Sequence, residues 1–206
     1  MSFLILDSQI NFFKENGFIE FEDILSLEDL NKIEKEISII LNKIDSSEKI
    51  YNSIDLFRKS NILKKITLST QLASIAANLS KKNLLKIGFD FALYPSIKDF
   101  FNKTISFEDR FSFQDLAIAL ILKLDNLESS GLLKKRGNIL FINPSYPVDF
   151  KSLLENDQKY FIIAYADNRT VYKSNKNDKN NNFLKKFSYS FGDRLKEEFH
   201  PIILQK

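Results

Sequence analysis

A chain of 206 residues with 44% apolar side chains can bury one core of ordinary size, and its 28% charged residues keep the remainder in water. Cysteine is absent, which excludes disulfides, thiolate metal sites and thiol nucleophiles and suits a reducing, cytoplasmic setting. The 30 basic and 27 acidic residues sum to +3 and are interleaved. The densest basic cluster, Lys134-Lys135-Arg136, reads as a solvated turn before Gly137 with no aromatic residues in it, so no nucleic-acid partner is expected.

The opening Met1–Asp7 has no basic lead, which predicts no secretory leader. The longest apolar run, Leu116 to Leu122, is seven residues against the roughly 20 needed to cross a bilayer, so no membrane span is expected. Twenty Phe, no Trp and abundant Lys, Asn and Ile suggest coding from an AT-rich bacterial genome.

In chain order, Ser8 to Asn16 reads as a helix stopped at Gly17 by a left-handed cap. Phe18 to Phe21 reads as a short strand. Ser26 with Asp29 resembles a capping box, and Leu27, Leu30, Ile33, Ile37, Ile40 and Leu41 form one apolar stripe, predicting a second helix. Two more helices are predicted at Ile54–Leu63 and Ser69–Leu79. After Lys82 the period changes to two. Leu85, Ile87, Phe89, Phe91 and Leu93 alternate with polar or small residues, predicting a half-buried strand that ends at Pro95, and Leu116–Leu124 repeats the pattern while being apolar enough for a buried helix as the alternative. Further strands are predicted at Asn138–Asn143, Lys159–Ala166, Thr170–Lys173 and Lys186–Phe191. Between the last two lies the polar stretch 174–182, which reads as a mobile loop. The expectation is one α+β domain over 1–206, mainly helical over 1–82 and mainly β-sheet over 83–206.

Several segments carry a family resemblance. Phe13-Lys-Glu-Asn-Gly-Phe-Ile-Glu-Phe21 with Ile24-Leu-Ser-Leu-Glu-Asp-Leu30 resembles the N-terminus of the phytanoyl-CoA dioxygenase family. Asp55-Leu-Phe-Arg-Lys-Ser60 and Leu72-Ala-Ser-Ile-Ala-Ala77 look like its second helical stretch, Phe91-Ala-Leu-Tyr-Pro95 like its first core strand, and Gly137-Asn-Ile-Leu-Phe-Ile142 like the strand before its distal histidine. The resemblance implies a double-stranded β-helix, a cupin-like jelly-roll of two facing sheets buttressed by N-terminal helices. It also implies iron(II) and 2-oxoglutarate, the iron held by two His and one carboxylate.

This chain has one histidine, so two imidazole ligands cannot come from one copy and no cofactor is expected. Counting on from Gly137, the distal ligand position falls at Val148. The nearest match to the proximal His-x-Asp is Phe113-Gln114-Asp115, with phenylalanine in place of the imidazole, and Asp115 reads first as a polar residue at a strand start. Lys159 takes the place of the basic residue that pairs with the far carboxylate of 2-oxoglutarate, without the bidentate fork of arginine. His200, the sole histidine, reads as a surface or hydrogen-bonded structural residue.

Other chemistries find little support. No Gly-x-Ser-x-Gly elbow accompanies His200, and the five glycines are too scattered for a phosphate loop. Glu22-Asp23 and Glu108-Asp109 read as turn or cap residues. The first functional expectation is a degenerate member of the resembled family, kept as a binding or interaction module for an unidentified protein or small molecule. The alternative is an enzyme using the same cavity without metal, with a metal on carboxylates alone, or as an atypical 2-oxoglutarate-dependent oxygenase. Asp115, Asp149 and Lys159 are the residues to suspect there. A third reading is coincidence. Phe89, Phe91, Phe113, Phe141 and Phe161 are candidates to plug the cavity, subject to strand register.

Overall fold

The first helix, α1 (Asp7–Asn16), ends where Gly17 takes a φ of +79°, and from that turn the chain enters β1 (Phe18–Phe21). A Cβ at Gly17 would lie 2.6 Å from the Tyr146 ring, so conformation and space both require glycine. The computed structural model describes residues 4–42, 53–101, 103–127, 131–178 and 184–206.

The Ser26 hydroxyl accepts the Asp29 N–H at 3.1 Å and donates to its carboxylate at 2.7 Å, opening α2 (Leu27–Asn42). This helix buries Leu30, Ile33, Ile37 and Leu41 as one stripe. The helix expected at Ile54–Leu63 is divided. Ile54 bridges to Phe91, a 3-10 turn covers Leu56–Arg58, and α3 (Asn61–Thr67) begins at Ser60, whose hydroxyl accepts the Ile62 and Leu63 N–H groups. Ser69 caps α4 (Thr70–Ser80) in the same way.

Among the described residues there are eight strands. With β1 they are β2 (Leu84–Leu93), β3 (Thr104–Ile105), β4 (Phe113–Lys123), β5 (Ile139–Ile142), β6 (Val148–Asp149), β7 (Tyr160–Tyr172) and β8 (Ile202–Gln205). Six of them form one antiparallel sheet in the order β1-β5-β4-β7-β2-β8, and β3 pairs with β6 separately. Two one-turn helices, α5 (Phe107–Arg110) and α6 (Phe150–Leu153), sit beside the small pair.

Several expectations are corrected. Lys159–Ala166 and Thr170–Lys173 are parts of one strand, β7, interrupted where Asp167 and Thr170 close a local turn that β4 skips. Lys186–Phe191 is turn and loop, with Ser188 in the left-handed region at φ 57°, and the final strand is β8 instead. In the stretch read as a mobile loop, residues 174–178 are tied down. Asn175 and Asn177 donate to the Asp109 carbonyl, and Asp178 is buried. Residues 179–182 of that stretch lie outside the described residues.

The main sheet separates two cores. On one face α1 to α4 pack over Ile19, Phe21, Leu85, Ile87, Ile118, Leu120, Ile139, Phe141, Phe161 and Ile163. On the other face lie Phe89, Phe91, Leu93, Ala119, Ile121, Leu140, Ile142, Tyr160 and Ile162. The run Leu85 to Leu93, which alternates without a break in the sequence, therefore changes face partway. The ladder between β2 and β7 slips between Ile87 and Phe89, and the extra residue is Gly88. A Cβ on Gly88 would lie 3.0 Å from the Ala164 carbonyl oxygen, so a larger residue would push the strands apart.

Among the described residues no helix is long and apolar enough to cross a membrane. Because Phe91 is fully buried between the main sheet and the elements that cover it, Phe91→Ala is expected to destabilise the fold by about 3–5 kcal/mol with an unchanged denaturant slope, read by urea unfolding.

Candidate functional site

The space between the main sheet and the β3–β6 pair is where the resembled family would hold metal and substrate. Here it is filled with rings. Phe113 stacks on Phe89 with centroids 5.2 Å apart, Phe89 meets Phe111 at 4.4 Å, Phe111 meets Phe91 at 5.3 Å, and Phe91 stacks on Phe101 at 5.5 Å. Phe101 meets Phe150 at 5.3 Å, and Phe150 meets Phe107 at 5.7 Å. All of these rings are buried. Of the five phenylalanines expected to plug the space, Phe89, Phe91 and Phe113 face it. Phe141 and Phe161 face the helices, where Phe141 packs on Phe21.

The candidate site residues do not meet. Val148 is buried in β6 and stands directly across the ladder from Ile105. Phe113 lies on the other sheet, paired with Tyr172, so the proximal and distal positions read from the sequence fall on different sheets. The strand that faces Val148 is Thr104–Ile105, neither residue a metal ligand of the expected kind. Asp115 is exposed at a bulge in β4, in the left-handed region at φ 59°, and its carbonyl accepts the Thr170 hydroxyl at 2.7 Å. Asp149 caps α6, accepting the Ser152 N–H at 3.2 Å and the Ser152 hydroxyl at 2.7 Å; those hydrogen bonds lower its pKa.

Lys159 stands at the opposite end of the β4–β7 ladder from Asp115, roughly 20 Å away by strand rise. Its ammonium is 3.0 Å from Glu34 of α2, which also holds Arg136 at 2.9 Å, so it is engaged on the helix side of the sheet. The cation that reaches the interior side at this end is Lys123, which pairs across the ladder with Tyr160. It is fully buried, 3.4 Å from Asp125 and 5.4 Å from the Tyr160 ring centroid. A lysine closing an apolar run was the only sequence signal for it.

His200 is fully buried beside β2. A carbonyl can only accept, so the 3.0 Å contact with the Ile87 oxygen places the hydrogen on Nδ1, and Nε2 is left buried without a partner. Its ring meets Phe113 and Tyr189 edge to face. Burial, followed by the nearby Arg58 charge, pushes its pKa down to about 4 against the opposing pull of the Ile87 and Gly88 backbone.

Sequence reasoning also missed a pair of buried carboxylates. The face change at Gly88 turns Asp90 under the helices, where it accepts the Thr67 hydroxyl at 2.6 Å and the Phe57 N–H at 3.1 Å. The Asp55 N–H donates to the Asp90 carbonyl at 2.8 Å. Burial raises the Asp90 pKa to about 7 and that of Asp55 to about 6, in the second case against the attraction of Arg58. Among the described residues no three His, Cys, Asp or Glu side chains gather in a way that could hold a metal.

These shifts fix the sign of a pH dependence. Each aspartate has its folded pKa above its unfolded value, so its contribution to stability is full below about pH 4 and is lost as pH rises towards 6 for Asp55 and 7 for Asp90. His200, with its folded pKa lowered, contributes in the opposite sense, losing stability as pH falls from 6.5 to 4. Asp90→Asn, permanently neutral, is therefore expected to stabilise the protein at pH 8 by about 1–3 kcal/mol, to change little at pH 4, and to flatten the decline between, read by chemical unfolding across pH.

No protein-family model and no curated protein matches the chain. Solved structures do. The non-heme alpha-ketoglutarate-dependent carbocyclase SnoK from nogalamycin biosynthesis superposes with a TM-score of 0.70 at 12% identity, covering 96% of each chain. CT296 from Chlamydia trachomatis superposes with a TM-score of 0.54 at 19% identity, over 81% of this chain and 99% of that one. EctD from S. alaskensis, solved with bound iron, gives 0.56 at 10% identity over 85% and 81%. The chain thus shares its fold, helices packed on an antiparallel cupin-like sheet, with iron- and 2-oxoglutarate-dependent oxygenases.

Proposed function

We propose that this protein is a non-oxygenase member of the phytanoyl-CoA dioxygenase-like group, a double-stranded β-helix kept as a binding or interaction module. The observation that carries the reading is that Val148, read from the sequence as the distal ligand position, pairs with Ile105, so neither side of that ladder offers a metal ligand, in a chain with one histidine. The ring cluster from Phe113 to Phe150 supports the same reading, because it fills the core on this face of the main sheet with hydrocarbon. The residues present do not fit an iron centre of the family type, and Lys159 is ion-paired with Glu34. Function lives in the site and not in the fold, so a retained scaffold is compatible with a lost reaction.

A carboxylate-only or metal-free enzyme built on Asp115, Asp149 and Lys159 would need those groups to converge, and they lie on separate elements facing different surroundings. The absence of cysteine and the AT-biased composition support a bacterial, cytoplasmic protein. Anaerobic titration of the full chain with iron(II) and 2-oxoglutarate, followed by thermal unfolding and by succinate assay, is expected to give no shift in Tm and no succinate. A saturable shift accompanied by succinate would contradict the reading.

A further inference from the structure

The main sheet ends at β1 on one side and at β8 on the other. Where the β1–β5 ladder begins, the Asn143 N–H donates to the Gly17 carbonyl at 2.8 Å. Bonded pairs alternate along an antiparallel ladder, so Ile19 with Phe141 and Phe21 with Ile139 exchange the next bonds. Phe18 and Glu20 therefore turn their backbone N–H and C=O away from β5, and no described residue takes them up.

A groove of about 430 Å³ follows this edge. It is lined by Phe18, Ile19 and Glu20 in succession, which alternate between the two faces of the sheet and meet only along its margin. Phe12 of α1 and Leu132 line it too, and are 45% and 41% exposed. The Phe12 ring stands edge to face on Phe18 with centroids 6.2 Å apart. The strand lacks the devices that keep a free edge single: its register has no bulge, and Phe18–Phe21 holds no proline or lysine. Its one charge, on Glu20, is turned to its own chain, where the carboxylate accepts the Leu133 N–H at 3.2 Å and the Asn138 side-chain amide at 2.5 Å.

An occupant of this edge must supply two donors and two acceptors at a two-residue spacing, and apolar side chains beside them. A second β1 does so. Turned about a two-fold axis through Ile19, Phe18 of each copy stands opposite Glu20 of the other, which closes four N–H to C=O bonds without setting one Glu20 against the other. The same rotation brings Phe12 and Leu132 of both copies to the junction. We propose that β1 is the interface of a symmetric homodimer, in which two antiparallel β1 strands join the main sheets of two copies into one continuous sheet. The interface uses nothing in the core on the opposite face, so its failure and the failure of the non-oxygenase reading are separate results.

Sedimentation equilibrium of the full chain across the micromolar range tests it. The mass is expected to rise with concentration from 24.0 kDa to twice that value and to stop there. Glu20→Pro removes an outward N–H and no bond to β5, so two of the four bonds are lost and the dimer is expected to weaken by about tenfold or more. Glu20→Gln, which keeps that N–H, is expected to leave the dimer intact. If Glu20→Pro does not fold, Phe12→Lys takes its place, since it sets two lysines at the junction. Ile19→Cys puts the only thiol of the chain opposite the same thiol of the second copy, at a Cα spacing of about 4.5–5.5 Å that a disulfide spans. Mild oxidation is expected to link that variant as a dimer and to leave Phe191→Cys, at an exposed position, unlinked. A mass of 24.0 kDa throughout, as an edge reserved for the strand of another protein would give, overturns the proposal. So does a mass that climbs past two copies, a dimer indifferent to Glu20→Pro and Phe12→Lys, or no crosslink at position 19.

Discussion

At Gly88 the ladder between β2 and β7 slips by one residue, and both faces of the sheet depend on that slip. Before it, Leu85 and Ile87 join the helix-side core; after it, Phe89, Phe91 and Leu93 join the opposite one. The same change buries Asp90 under α3, where Thr67 and the Phe57 N–H receive it, and brings the start of the Leu56–Arg58 turn onto β2 through the Asp55 N–H. A single bulge thus sets which rings fill the interior and where a buried acid is held.

The filled interior has energetic and functional consequences together. Each buried phenylalanine adds transfer energy and ring–ring contact, so a cluster of them stabilises the fold in proportion to the space it occupies. An oxygenase of the same fold must keep that space open and polar enough for metal and oxo-acid. Here Ile105 and Val148 close the small sheet with hydrocarbon, and Phe101, Phe107 and Phe150 cover the main sheet. In this chain the rings take up the core on that face of the main sheet.

Much of the fold was legible because periodicity is local. The stripe of α2, the Gly17 stop, the Ser69 cap and the β2, β4 and β5 segments follow from neighbours within a few residues. The face of each strand was less legible. Phe89 and Leu85 share a parity in the sequence but not a side of the sheet, since a bulge leaves no mark beyond a glycine. β8 escaped notice because Ile202–Gln205 has no alternation and becomes a strand only by pairing with β2. At the site, the histidine count was readable directly. Which strands stand beside one another was not, because pairing joins distant parts of the chain: Val148 lies across from Ile105, and Phe113 across from Tyr172. Asp55, Asp90 and Lys123 were missed because a lone charged residue in an apolar run carries no signal of whether it turns inward.

The volume between the two sheets is packed with aromatic rings. Nuclear Overhauser contacts among ring protons, in protein labelled only at phenylalanine, test it most directly. An unbroken chain of contacts from Phe113 through Phe89, Phe111, Phe91 and Phe101 to Phe150 is expected. A break between Phe89 or Phe91 on the sheet and Phe101 or Phe111 on the covering side would mean an open cavity there and would contradict it.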